Sequence, residues 1–159
     1  MPRSGEPAPA KAEVCELVCI PPDRVAMVWP RVSQLIYAAM KRGGISSFKS
    51  VEDSVLDGDA LLWLAIADGN GIGSEVAAAA VTELHQTEWR KVCVIVACGG
   101  STSACAGAGM NRWIALIAKI EEFARAENCS AIRIIGREGW ARILTAYRPK
   151  RVVLEKELH

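Results

Sequence analysis

The stretch of this chain best equipped for chemistry runs from residue 92 to residue 113. Val92-Cys93-Val94-Ile95-Val96-Ala97-Cys98 is apolar and β-branched, as a buried strand is. Thirteen mostly small residues follow, Gly99 to Asn111. They lead into a stripe at helical spacing, Trp113, Leu116, Ile117, Ile120 and Phe123. A helix N-terminus offers unpaired N–H groups at the positive end of its dipole. Glycines before it let a ligand approach the backbone. The combination is an anion site suited to phosphate or pyrophosphate, although a plain surface loop has the same composition.

Three phosphate and acyl motifs fail on spacing. A dinucleotide fingerprint beginning at Gly107-Ala108-Gly109 would need glycine where Arg112 stands. No Gly-Lys-Ser/Thr occurs, so there is no P-loop. Gly99-Gly100-Ser101-Thr102-Ser103 lacks the closing glycine of a nucleophile elbow. Cys98 ends its strand beside the loop, where a thiolate could be activated, but no His or Lys neighbours it in sequence and a buried thiol is the simpler reading. The six cysteines include no Cys-x-x-Cys pair, and there are only two histidines, so no metal site is expected. The basic run Arg148-Pro149-Lys150-Arg151, with Arg137 and Arg142, reads as a solvated end that could also meet an anionic group.

The elements that must position these residues follow from period and punctuation. Residues 1–13 read as a flexible tail. Residues 14–20 form a short strand closed by Pro21-Pro22, and Asp23 caps a helix carrying Val28, Val32, Leu35, Ile36, Ala39 and Met40. Pro30 kinks that helix or marks its true first turn, and Gly43-Gly44 ends it. Ser50-Val51-Glu52-Asp53 resembles a capping box for a second helix reaching about Leu56. Three strands follow, residues 60–67, 75–84 and 91–98, as an antiparallel meander. The main helix ends near Asn128, and residues 131–135 form a strand parallel to the third meander strand. A short helix over 139–147 and a last strand over 151–155 complete an α/β order of β-α-α-β-β-β-α-β-α-β, with a mixed, mostly antiparallel sheet. The meander argues against a Rossmann-like nucleotide binder.

That order, with a strand, Gly-rich loop and helix after the third meander strand, resembles the GNAT superfamily of N-acyltransferases. The family's cofactor loop reads Arg/Gln-x-x-Gly-x-Gly/Ala. Gly107-Ala108-Gly109 matches its small positions, while Ala104 stands in place of Arg/Gln. Residues 120–129 and 132–140, ending Gly136-Arg137-Glu138-Gly139-Trp140, resemble acyltransferase-like proteins of bacterial and phage genomes. The resemblance implies one GNAT-like domain over 14–159, in which acetyl-CoA lies where the strand after the main helix splays from its neighbour. Backbone groups of Ala97, Cys98 and Gly99 would pair with pantetheine. The amides of Gly107, Ala108, Gly109, Met110 and Asn111 would hold the pyrophosphate, with Arg112 adding charge. The base that deprotonates the acceptor amine is expected among Glu75, Glu83 and Glu88, with Glu83 nearest a strand centre. The family's acid is a Tyr after the fifth strand; Leu144 stands there, with Tyr147 nearly one turn on. The function so implied is acetyl transfer from acetyl-CoA to a primary amine, on a small molecule or a peptide, by direct attack. The alternative is a non-catalytic binding or assembly module of the same fold, in a phage or prophage setting.

Composition sets the outer bounds. At 159 residues, 51% hydrophobic and 23% charged, the chain suits one folded domain rather than a disordered segment. A net charge of +1 disfavours nucleic acid as a partner. No apolar run approaches a membrane span, and the cysteines suit a reducing, cytoplasmic setting. A homodimer is compatible with all of this. Of the five tryptophans, Trp29, Trp63 and Trp113 fall on apolar stripes, which leaves Trp89 and Trp140 as candidates for a binding surface.

Overall fold

The computed structural model describes residues 15–43, 46–67, 76–100, 109–136, 139–150 and 153–158. The tail expected over 1–13 and the turn at Asp68-Gly69-Asn70-Gly71 lie outside these residues. The first strand, β1 (Cys15–Ile20), leads at once into helix α1 (Pro22–Gly43). Pro22 opens α1, where its missing N–H costs nothing. Val25, Trp29, Val32, Ile36 and Met40 recur every three or four residues and are all buried, so one stripe of α1 docks on the sheet. Pro30 lies inside the helix rather than at its first turn. It is exposed, between two residues anchored in the core, so the helix continues past the lost hydrogen bond.

Helix α2 (Phe48–Asp57) starts earlier than its sequence suggests. Ser47, in extended conformation at φ −76° and ψ 121°, is the N-cap, and its hydroxyl accepts from the Ser50 N–H. The capping box expected at Ser50 is displaced because Phe48 must lie within the helix. Its ring stacks on Trp29 at 6.1 Å between centroids and meets Tyr37 edge-on at 5.3 Å. Gly58, at φ 85°, closes the helix in the left-handed region.

The sheet has five strands in the order β1, β2 (Leu61–Ala67), β3 (Val76–Gln86), β4 (Lys91–Gly100), β5 (Ala131–Ile134). The first three pairings are antiparallel and β4 pairs with β5 in parallel. Helix α3 (Gly109–Ala126) makes the crossover between them. Its C-terminus closes at Asn128, φ 59°, where the Cys129 N–H returns to the Ala124 carbonyl. Helix α4 (Gly139–Ile143) follows β5. The fold is therefore the α/β arrangement expected, apart from its last strand. Residues 153–158 carry no strand, and Val153 and Leu154 are exposed.

Both faces of the sheet are covered, which is why β2, β3 and β4 read as nearly continuous apolar runs. Leu62, Leu64, Ala79 and Val81 join the α1 and α2 stripes on one face. Trp63, Ala65, Ala78 and Ala80 join Leu116, Ile117, Ile120 and Leu144 on the other. Ala77-Ala78-Ala79-Ala80 has high helix propensity, yet strand neighbours on both sides hold it in β3. Within the second core, the Trp63 indole N–H donates to the Thr82 hydroxyl at 2.9 Å, which satisfies the only buried polar side chain among the described residues. No helix is long and apolar enough to cross a membrane among the described residues.

Gly99 fixes the distance between sheet and helix. A Cβ there would lie 2.3 Å from the Leu35 carbonyl oxygen of α1 and 3.0 Å from its carbon. These are main-chain atoms that no rotamer change can move. Gly99→Ala is expected to lower stability by about 2 kcal/mol or more through overpacking, read as a fall in melting temperature.

Candidate functional site

The site is made by a difference in strand length. β5 pairs with β4 from Val92–Ala131 to Ile95–Ile134, and one further bond joins the Ile135 N–H to the Ile95 carbonyl at 3.3 Å. There β5 ends. β4 continues for five more residues, 96–100, with β3 on one side and, among the described residues, no strand on the other. Ala97, Cys98 and Gly99 lie in this one-sided stretch. On that side the backbone groups that point away from β3 face no strand among the described residues.

A bulge sits at the point of divergence. Thr82 pairs with Ile95 and Val81 with Ala97, so Val96 is the extra residue. The bulge reverses the facing of everything beyond it. Cys93 and Ile95 pack in the α3 core, Ala97 packs in the α1 core, and Cys98 returns to the α3 side. Sequence reading ran β4 to Cys98 and began a loop at Gly99; the ladder instead continues to Gly100, because Ala79 and Ala78 still pair with Gly99 and Gly100.

The other half of the site is the start of α3. Its first turn is Gly109, Met110, Asn111 and Arg112, whose main-chain N–H groups have no partner within the helix. Gly107 and Ala108 lie outside the described residues, as does Ala104. The strand end and the helix start meet through Trp113. A Cβ on Gly100 would stand 3.0 Å from the Trp113 indole, so the strand needs glycine there to pass under the ring. Trp140 of α4 meets Trp113 edge to face at 5.5 Å between centroids, and a Cβ on Gly136 would lie 2.8 Å from Trp140. Two indoles thus stand over the ends of β4 and β5 on the α3 side. Sequence reading assigned Trp113 to packing and left Trp140 open. The signal for the pair was a glycine at the end of each parallel strand, too weak alone to name its partner.

Glu83 lies on β3 opposite Val94, one rung before the Thr82–Ile95 pair where the bulge begins. Its neighbours Val81 and Thr82 face opposite cores, so the alternation puts Glu83 on the α1 and α2 face. Its carboxylate is partly exposed and lies 2.9 Å from the His85 Nε2. That contact was missed at the sequence level, although an i, i+2 pair on one strand always shares a face. Glu88 is exposed in the turn after β3, and Glu75 lies outside the described residues. Trp89 is 85% exposed in the same turn, at the end of the sheet away from the start of α3.

Tyr147 is engaged elsewhere. Its hydroxyl donates to Glu121 Oε1 at 2.6 Å. Glu121 lies about 18 Å along the α3 axis from Gly109. The phenol is held well above its ordinary range by burial first and then by the Glu121 hydrogen bond. Leu144, at the position where a tyrosine is expected, is buried in the α3 core. Cys93, behind Tyr147, is a buried thiol whose pKa is pushed up to about 11 by burial and by nearby Cys129. Among the described residues, no group of three or more His, Cys, Asp or Glu side chains could hold a metal ion.

A parallel pair whose second strand ends early, a bulge at that point and a helix N-terminus beside it define the α/β fold of this chain. Comparison with solved structures names that fold. A probable acetyltransferase superposes with a TM-score of 0.65 at 12% identity, over 91% of this chain and 97% of its own. A GNAT family acetyltransferase from Staphylococcus aureus gives 0.58 at 15% identity, over 91% and 98%. An aminoglycoside acetyltransferase from an uncultured soil metagenomic sample, solved with sisomicin, gives 0.62 at 10% identity, over 91% and 97%. The chain has the GNAT acetyltransferase fold over nearly its whole length. No protein-family model matches the sequence, and no curated protein matches it significantly.

The Tyr147–Glu121 bond makes a pH prediction. A phenol with a raised native pKa contributes stability that is intact below the unfolded value near 10 and is lost as pH rises toward the native value. The folded protein should lose stability above about pH 10, and Tyr147→Phe should flatten that loss while costing about 1 kcal/mol at neutral pH. Denaturant melts across the alkaline range measure both.

Proposed function

We propose that this chain is an N-acetyltransferase that moves an acetyl group from acetyl-CoA to a primary amine. The observation that carries the reading is the one-sided stretch of β4, residues 96–100, lying beside the first turn of α3. The fit is chemical. Pantetheine carries amides, and those N–H and C=O groups along Ala97, Cys98 and Gly99 that point away from β3 are of the kind it pairs with. The amides of Gly109, Met110 and Asn111 are donors for a pyrophosphate at a helix N-terminus, and Arg112, next in sequence, adds a cation. Bound there, acetyl-CoA supplies an acyl group already activated as a thioester.

Glu83 is the base. Its partly exposed carboxylate, one rung from the bulge, takes the proton that the amine nitrogen loses as it bonds to the acyl carbon. The carbon–sulfur bond breaks with its electron pair on sulfur, and a proton returns to that sulfur as the thiol leaves. With the Tyr147 hydroxyl bonded to Glu121, that proton is assigned to solvent. The aminoglycoside acetyltransferase of the same fold supports a small-molecule amine as acceptor. The cysteine usage agrees with a cytoplasmic setting.

Buried Leu144 and the Tyr147–Glu121 bond also favour a second reading, a module that binds CoA without transferring its acyl group. Calorimetry with acetyl-CoA, followed by an amine panel, separates the two. Saturable binding with turnover that falls about a hundredfold in Glu83→Gln supports the transferase, within the range of a lost general base. Binding without turnover supports the module, and no binding at high micromolar acetyl-CoA overturns both.

A further inference from the structure

Glu83 shares its row of the sheet with a second charged side chain. Glu83 on β3 stands opposite Val94 on β4, and Val94 stands opposite Arg133 on β5. Ile132 and Ile134 belong to the α3 core, so Arg133 projects to the other face, as Glu83 does. The two Cα atoms are two strand spacings apart, about 10 Å. Val94, 1% exposed, lies between them. The row is one rung short of Ile95–Ile134, the last pair before β5 leaves β4.

Arg133 also differs from the chain's other arginines. Every other arginine whose exposure is described stands open to solvent, whereas Arg133 is partly buried. Among the described residues it has neither a hydrogen-bond nor an ion-pair partner. A guanidinium drawn out of water needs an anion to repay the lost hydration. Glu83 does not supply it, because its Oε2 is bonded along its own strand, to His85 Nε2 at 2.9 Å.

Resting on the reading of Glu83 as the base, we propose that Arg133 binds a carboxylate on the acceptor and that the acceptor is a free amino acid. Its amine lies at Glu83 and its carboxylate at Arg133. The guanidinium fork matches a carboxylate with two parallel hydrogen bonds. In an α-amino acid one carbon joins amine and carboxylate. Two charge-assisted hydrogen bonds of about 3 Å, with that short link between them, suit the span of the row. The opposed charges also fix direction, since the reversed molecule would set carboxylate on carboxylate and ammonium on guanidinium. An arginine on a last strand can instead guard the sheet edge against association. An edge guard works best fully solvated, and it would be indifferent to the charge of an acceptor.

Ligand-observed NMR on the full chain, with and without saturating CoA, tests this without requiring turnover. The panel is the free amino acids and the matching amino acid amides, which keep the amine and lose the carboxylate charge. The best acids should bind at least about tenfold more tightly than their amides. Arg133→Gln should abolish that preference and Arg133→Lys should keep part of it, both with unchanged circular dichroism. Acids and amides that bind alike overturn the proposal. So does an absence of binding by either, or a preference that survives Arg133→Gln. Acetyl-CoA turnover with the same panel reads the transferase separately. A preference for acids without turnover supports the amino acid site and sinks the transferase. Equal turnover of acids and amides overturns the amino acid site and leaves the transferase standing.

Discussion

Everything at the site depends on where β4 stops having two neighbours. Up to Ile95 it is a central strand, paired with β3 and β5. From Val96 onward it has, among the described residues, β3 alone, and the bulge at Val96 turns its side chains over at the same place. A strand with one open edge is normally a liability, since unpaired N–H and C=O groups invite association. Here the edge lies between the core of the sheet and the start of α3. It is a short, internal edge with the positive end of the α3 dipole beside it.

Small residues make that geometry attainable. Gly99 lets α1 approach β4 to main-chain contact on one face. Gly100 and Gly136 let two indoles lie over the ends of the parallel strands on the other. The alanine run of β3 supports the same stretch from the side, pairing Ala78, Ala79 and Ala80 with Gly100, Gly99 and Cys98. These positions carry little hydrophobic free energy themselves, because they have little surface to bury. Their contribution is to set distances, and the large side chains of α1 and α3 supply the burial.

Most elements were legible because their signals are local. The α1 stripe, the stripe from Trp113 to Phe123, the Asn128 stop and the β-branched run of β4 each announce themselves within a dozen residues. Errors came where a distant partner had the deciding vote. Phe48 joined α2 because Trp29 and Tyr37 receive its ring, which moved the cap to Ser47. Gly99 and Gly100 look like loop residues, but the ladder to Ala79 and Ala78 makes them strand. Residues 151–155 have strand composition, but composition cannot say whether an edge is within reach.

The candidate site divides in the same way. Residue order alone placed glycines before a helix, a strand before the glycines, and a carboxylate near the middle of the neighbouring strand. Those are statements about spacing, and the one-dimensional pattern of the chain carries them completely. The early end of β5, the one-residue slip at Val96, the indole pair over Gly100 and Gly136, the Glu83–His85 contact and the capture of Tyr147 by Glu121 emerge only on folding. Most of these join elements far apart in sequence, and all depend on register and on which faces meet. A change of one residue in register reverses those faces while leaving local propensity untouched.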